Sequence, residues 1–282
     1  MRAVAVGACI LATTAIAPAS LPAAAATVRV RVFHFVDRSR TIRPRELETV
    51  VRYPARRGRY PLIVFAHGFA LTPGRYASLL NAWSEAGYVV AAPVFPHTNT
   101  NARGGPTEAD LVNQPGDMSF VITRLLELDR EPTSALSHEI DPARIAVAGH
   151  SDGGITALAT AYDSRYRDRR VRAAIVLSGA PLGGMGAFPR NGPPLLAVQG
   201  AADPINAAAT TVSYFRLAAR PKFLLLLLGA SHLPPYTDQE PQLTIVERTT
   251  VAFLDHYLKR APLGPLERAA HRRGLTRLVA DP

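Results

Sequence analysis

The sequence contains a single cysteine, Cys9. A chain with one cysteine cannot form an internal disulfide, and it has no thiolate cluster to hold zinc or an iron–sulfur centre. Its histidines also lack the i, i+4 spacing of helical zinc ligands. The sequence therefore predicts a protein that uses neither a metal nor another cofactor.

Aromatic residues make up only 7% of the chain, and just two lysines are present against a formal net charge of +10. The positive charge therefore comes almost entirely from arginine. The arginines are scattered, and no motif alternates basic with aromatic residues as nucleic-acid-binding modules do. We expect no nucleic-acid partner and interpret the basic residues as solvated surface.

Long apolar runs are absent except near the start, where an apolar stretch from Ala3 to about Ala17 follows Arg2. This run is too short to span a bilayer, and small residues continue to Ala26. The pattern predicts a signal peptide cleaved near Ala26 and a secreted protein without stable membrane insertion. The expected organisation is residues 1–26 as signal, 27–260 as one domain and 261–282 as a basic, loosely packed tail. We expect a monomer.

Two β-branched runs, Thr27–Val36 and Leu47–Tyr53, surround a polar turn and predict an antiparallel pair of strands. From Pro61 onward, short apolar strands alternate with amphipathic helices. The predicted strands are 61–66, 88–94, 144–148, 171–177, 195–199 and 222–228, and the predicted helices are 73–86, 115–129, 153–162, 204–219 and 241–259. This order predicts an α/β fold, with a mostly parallel mixed sheet covered by helices on both faces.

The motif Gly149-His-Ser-Asp-Gly153 lies between a predicted strand and a predicted helix. In that context the motif predicts a nucleophile elbow, in which a tight turn raises the Ser151 hydroxyl above the carboxyl ends of the strands. The glycines on either side of it remove side chains that would clash. His150 is expected to pack inside the elbow or to hold a neighbouring loop.

A serine hydroxyl needs a base and an orienting acid. Asp203 and His232 each follow a later strand, so all three side chains are expected at one edge of the sheet. The order Ser, Asp, His is the one that this architecture requires. Asp163 and Asp168 are rival acids that we expect to face solvent, and Asp238 follows His232 too closely to orient it.

The loop His67-Gly-Phe69 follows another strand, and it can present a backbone amide to the oxyanion of a tetrahedral intermediate. The second donor would be the amide of Asp152, directly after the nucleophile. His97, in a polar loop, is a candidate for lining the cleft.

Together these motifs resemble the α/β-hydrolase superfamily over roughly Leu47 to Lys259. The chain is most similar to secreted bacterial lipases, cutinases and polyester hydrolases, with the chlorophyllase and dienelactone-hydrolase branches close by. The resemblance implies a serine esterase with Ser151 as nucleophile, His232 as base and Asp203 as acid. It also implies that Phe69 and Asp152 supply the oxyanion amides.

No long insertion separates the strands after Ser151, so no large lid is expected. Phe69, Met185 and Phe188 are expected to form an apolar wall, and these three together with His97 are the expected substrate-binding residues. A shallow open groove favours soluble esters of short to medium chain length. Cleavage of polyesters, acyl transfer to an alcohol, and a non-catalytic role in binding the cell envelope remain alternatives.

Overall fold

The computed structural model describes residues 27–40 and 44–282. The predicted signal segment, residues 1–26, lies outside the described residues. Within the described part of the chain, no helix is long and apolar enough to cross a membrane.

Among the described residues, nine strands form one sheet in the order β1-β2-β4-β3-β5-β6-β7-β8-β9. The strands are β1 (Val28–Asp37), β2 (Arg45–Pro54), β3 (Tyr60–Ala66), β4 (Val89–Pro93), β5 (Ile140–His150), β6 (Val171–Leu177), β7 (Leu195–Gly200), β8 (Lys222–Leu227) and β9 (Thr276–Asp281). The six strands from β4 to β8 pair in parallel, whereas β1 and β2 at one edge and β9 at the other are antiparallel. The predicted mostly parallel mixed sheet is confirmed.

Helices cover both faces of the sheet, and the strands supply alternate side chains to each. The helices are α1 (Ala77–Glu85), α2 (Gln114–Arg130), α3 (Asp152–Tyr162), α4 (Ala208–Leu217), α5 (Gln242–Lys259) and α6 (Gly264–Ala270). In β3, for example, Leu62 and Val64 pack with α2, α3 and α4, and Ile63 and Phe65 pack with α1, α5 and α6. This alternation explains why the central strands are apolar at every position, since both of their faces are buried.

The segment after Arg260 does not pack loosely, contrary to expectation. It forms α6, which buries Leu266 and Ala270 in the core, and then β9, which pairs with β8 over its whole length. The sequence conceals this strand because β9 is short, contains the charged Arg277 and Asp281, and as an edge strand needs apolar residues on one face only.

Candidate active site

Ser151 occupies a sharp turn between β5 and α3. Its φ of 56° and ψ of −122° lie in a region that residues with a side chain rarely adopt. A Cβ atom at Gly149 would lie 2.0 Å from the carbonyl oxygen of Gly153, and one at Gly153 would lie 2.0 Å from that of Ala66. Only glycine fits at both positions, so the spacing of the motif follows from how closely the backbone packs around the serine.

Ser151, His232 and Asp203 form a continuous hydrogen-bonded row. His232 Nε2 lies 2.9 Å from Ser151 Oγ, and His232 Nδ1 lies 2.7 Å from Asp203 Oδ2. A carboxylate can only accept, so Nδ1 carries the proton and leaves Nε2 free to accept the serine proton. The three loops expected to converge at the carboxyl edge of the sheet do so.

Asp203 is held as a carboxylate by several donors. Its Oδ1 accepts the amide N–H groups of Ile205 and Asn206 at 2.8 and 2.9 Å, and its Oδ2 accepts the Gln199 side-chain amide at 3.0 Å. Burial alone would raise the pKa of Asp203, but the hydrogen bonds from His232 and the two backbone amides outweigh it and lower that pKa. Asp203 therefore stays charged while it orients His232.

The rival acids are engaged elsewhere. Asp163 is buried and pairs with Arg165, so the expectation that it faces solvent is wrong, and the half-buried Asp168 pairs with Arg170. Asp238 forms an exposed pair with Arg75.

A cavity of about 640 Å³ opens over Ser151. Its lining residues come from four loop segments and from the elbow itself: Gly68, Phe69, Leu71, Glu108, His150, Ser151, Asp152, Pro204, Ile205, Asn206, Ser231, His232, Leu233 and Pro234. The walls combine apolar side chains with the carboxyl groups of Glu108 and Asp152. The loop between β6 and β7 contains no helix, so no helical lid from that connection covers the cavity.

Three residues predicted to bind substrate lie outside this cavity, whereas Phe69 lines it. His97 is exposed, and Met185 and Phe188 pack against the core on the α3 side. Phe188 stacks on Tyr162 at 5.3 Å between ring centroids. Phe188 therefore packs at the end of α3, where the buried Tyr162 supplies an aromatic partner.

Leu71, Ile205 and Leu233 supply apolar wall that the sequence analysis missed. Ile205 could have been predicted, because an apolar residue two positions after the proposed acid must lie at the same edge of the sheet. Ile205 is 69% exposed and lines the cavity, so its side chain can contact an apolar ligand there.

Glu108 was not among the residues expected at the site. It begins a short 3-10 helix, Glu108–Asn113, that is fixed from below by a buried ion cluster. In this cluster the Arg45 guanidinium on β2 donates to both oxygens of Asp110 at 2.8 Å and to both oxygens of Asp117. The front wall of the cavity is therefore held by Arg45.

Asp152 has one carboxyl oxygen, Oδ2, that is buried without a hydrogen-bond partner among the described residues. Burial, followed by the negative charge of Glu108, raises the pKa of Asp152 to about 6. An acid in this state changes charge close to neutral pH.

The loop after β3 is held from both sides. His67 Nε2 accepts the Phe95 amide at 3.1 Å, so its Nδ1 carries the proton and donates to the Gly68 carbonyl at 2.8 Å. Burial lowers the pKa of His67 to about 4, which keeps this tautomer neutral. Since a peptide unit is planar, fixing the Gly68 carbonyl also fixes the direction of the Phe69 N–H. In the described structure neither this N–H nor that of Asp152 donates to a protein acceptor.

The strand order and the strained serine between β5 and α3 define an α/β-hydrolase fold. Comparison with known families matches the chlorophyllase family over residues 22–212, about two thirds of the chain. Chlorophyllase-2 of Arabidopsis thaliana is 26% identical over 156 residues, which cover 55% of this chain and 45% of that protein. The chain belongs to the chlorophyllase family. The predicted superfamily is thereby confirmed, and the matches favour its chlorophyllase branch; the family match ends before His232.

Proposed function

We propose that the protein hydrolyses carboxylic esters through a covalent acyl-enzyme on Ser151. The observation that carries the proposal is the row Ser151–His232–Asp203, with its 2.9 and 2.7 Å hydrogen bonds, at a cavity large enough for a small ester. Membership of a family named for an esterase supports the same reaction class.

In the first half-reaction, His232 Nε2 takes the proton of the Ser151 hydroxyl as Oγ attacks the ester carbonyl. The tetrahedral intermediate then expels the alcohol, which receives that proton from His232. In the second half, water attacks the acyl-enzyme while His232 again serves as base, and the acid is released. Asp203 holds Nδ1 and stabilises the imidazolium that forms in each half.

The amides of Phe69 and Asp152 would bind the oxyanion. Both residues line the cavity, and both N–H groups are free of protein acceptors in the described structure. The Asp152 amide also belongs to the first turn of α3, where the helix dipole favours negative charge.

We propose acyl chains of about two to eight carbons as the preferred substrates. The apolar wall of Leu71, Ile205 and Leu233 is short, and each buried methylene contributes only ~0.8 kcal/mol. Chlorophyll is a second candidate substrate, because the family and the plant relative carry its name. We also propose export through the N-terminal signal, on the pattern of Arg2 and the apolar run after it.

The test is a series of p-nitrophenyl esters from acetate to palmitate, with chlorophyll assayed in parallel. We expect turnover that peaks among short esters and falls by several orders of magnitude in Ser151→Ala, while circular dichroism remains unchanged. A fluorophosphonate should label the wild type at one residue. Labelling that survives in Ser151→Ala would exclude Ser151 as the nucleophile.

Competing activities have their own outcomes in this series. A preference for palmitate would contradict the short-chain proposal, and an acyl group passed to an added alcohol faster than to water would indicate a transferase. No turnover of any ester, with no fluorophosphonate labelling, would support a non-catalytic binding protein.

A further inference from the structure

His150, the residue before the proposed nucleophile, is buried and engages both of its ring nitrogens. Nε2 lies 2.9 Å from the backbone carbonyl oxygen of His232, and Nδ1 lies 2.8 Å from the hydroxyl oxygen of Tyr76. A carbonyl only accepts, so Nε2 carries the proton, and Nδ1 must accept the Tyr76 hydroxyl proton. Burial, then the nearby His232, lowers the pKa of His150 to about 3, so the ring stays neutral in this tautomer.

Tyr76 extends the chain of hydrogen bonds to the loop after β3. Its hydroxyl oxygen accepts the Gly68 amide at 3.2 Å. All of the bonds therefore have one direction, from the Gly68 N–H through the Tyr76 O–H to His150 Nδ1, and from His150 Nε2–H to the His232 carbonyl. We call Gly68, Tyr76, His150 and the His232 carbonyl the relay.

The relay joins the two loops that must keep a fixed separation during catalysis. Gly68 precedes Phe69, whose amide is proposed to bind the oxyanion, and the other end of the relay is the backbone of the proposed base. The parts are also closely packed: the His150 and His232 ring centroids are 4.7 Å apart, and a Cβ atom at Gly68 would lie 3.2 Å from His150 Nδ1.

We propose that His150 is a positioning residue that couples the oxyanion loop to the base loop through this relay. The inference rests on the proposed esterase function. It extends that function, because it assigns a role in transition-state geometry to a side chain that takes no proton from the substrate. Errors of about 1 Å in such geometry cost large factors in rate, whereas substrate affinity depends on the cavity walls.

Two substitutions at His150 separate the halves of the relay. In His150→Gln the side-chain amide can still donate to the His232 carbonyl but loses the acceptor for Tyr76. In His150→Asn the shorter side chain keeps that acceptor and loses the bond to His232. Tyr76→Phe breaks the same half as His150→Gln through the loss of one oxygen, so it stands in if the His150 variants fold poorly.

Tyr236→Phe is the matched control. Its hydroxyl is equally buried and bonds to Ser178 and to the Val198 carbonyl, and its ring packs on His150 at 5.0 Å, but it has no place in the relay. This variant should lose about as much thermal stability as the relay variants, while its kcat stays within about threefold of the wild type.

With a short p-nitrophenyl ester, each relay variant should lower kcat by about 5- to 100-fold, as expected for one buried hydrogen bond, with KM within about threefold. The double variant Tyr76→Phe/His150→Gln should lose no more kcat than the less active of its two single variants, because both substitutions interrupt the relay at the Tyr76 hydroxyl. In His150→Asn, the downfield proton resonance of the His232 Nδ1–H should also broaden.

Equal losses of kcat in Tyr76→Phe and Tyr236→Phe, or multiplicative losses in the double variant, would overturn the proposal, because His150 would then act through stability alone. If the wild type hydrolyses none of the esters, the proposed function fails. In that case the role of the relay is tested by the rate at which a fluorophosphonate labels Ser151. This rate should fall in the relay variants and stay unchanged in Tyr236→Phe.

Discussion

Replacing Asp152 with asparagine should stabilise the protein, and only above about pH 5. The substitution keeps the size of the side chain and the backbone amide, and it removes a charge from a site where one carboxyl oxygen is buried without a partner in the described structure. In the folded protein the pKa of Asp152 is about 6, against 3.8 for the free side chain, because of burial and the charge of Glu108.

The sign follows from proton binding. Below pH 4 Asp152 is neutral in both the folded and the unfolded state, so it contributes no pH dependence. Between pH 4 and 6 the unfolded chain releases its proton and the folded chain retains it, so the free energy of unfolding falls as the pH rises. A shift of about two pKa units corresponds to roughly 3 kcal/mol at most, and partial exposure reduces this to about 1–3 kcal/mol.

Thermal unfolding at pH 4 and pH 8 measures the effect. We expect Asp152→Asn to raise Tm at pH 8 by about 2–4 °C for each kcal/mol, and to leave it nearly unchanged at pH 4. Asp141→Asn is the control of opposite sign. Although burial opposes it, the Ala143 amide and Arg144 lower the pKa of Asp141, so its charged form stabilises the fold at pH 8. An Asp152→Asn variant that is equally stabilised at both pH values, or destabilised at pH 8, would refute the reasoning.

Three further substitutions test the proposed site and its supports. Asp203→Asn should cut kcat by roughly 10⁴, because the amide favours the wrong tautomer of the base, and near-normal turnover would place the acid elsewhere. Gly153→Ala should destabilise the protein by at least about 1–3 kcal/mol and abolish turnover, because the added methyl group meets a backbone oxygen. Gly186→Ala places its methyl group in open space, so thermal melting and an activity assay should show neither effect. Arg45→Met should cost about 3–5 kcal/mol of unfolding free energy, measured in urea, because Asp110 loses its arginine partner and Asp117 keeps only Arg40. A loss no larger than that of the exposed Arg103→Met would contradict the structural role of the cluster.

The central sheet could be predicted from the sequence because burial on both faces leaves an unambiguous signal. Strand β6 was predicted with its observed bounds, and the helix after the elbow begins one residue earlier than expected. Edge strands carry weaker patterns. Strand β9 is short, at most half-buried and preceded by several arginines, which is why the C-terminal segment was expected to pack loosely.

The row Ser151–His232–Asp203 could be anticipated because its members follow strands, and the sheet fixes where strands end. The cavity walls could not be predicted, because they depend on the conformations of the loops that connect the strands and helices. Met185 and Phe188 are apolar and near the site in sequence, yet a neighbouring aromatic side chain holds Phe188 on the other side of the loop. Glu108 enters the cavity only because a distant strand supplies the arginine beneath it.

Because Arg45 holds this segment in place, the exposed residues of the segment can contact ligands without also having to fix its position. Arg45 binds the 3-10 helix through Asp110 and the adjoining α2 through Asp117, so the position of the front wall is fixed from inside the protein. Glu108, which lines the cavity, and Val112 on the same 3-10 helix are both exposed, and neither bonds to Arg45. The exposed residues of this 3-10 helix can therefore be substituted, in evolution or in a designed library, without moving the wall. They are a natural starting point for changing which esters enter the cavity.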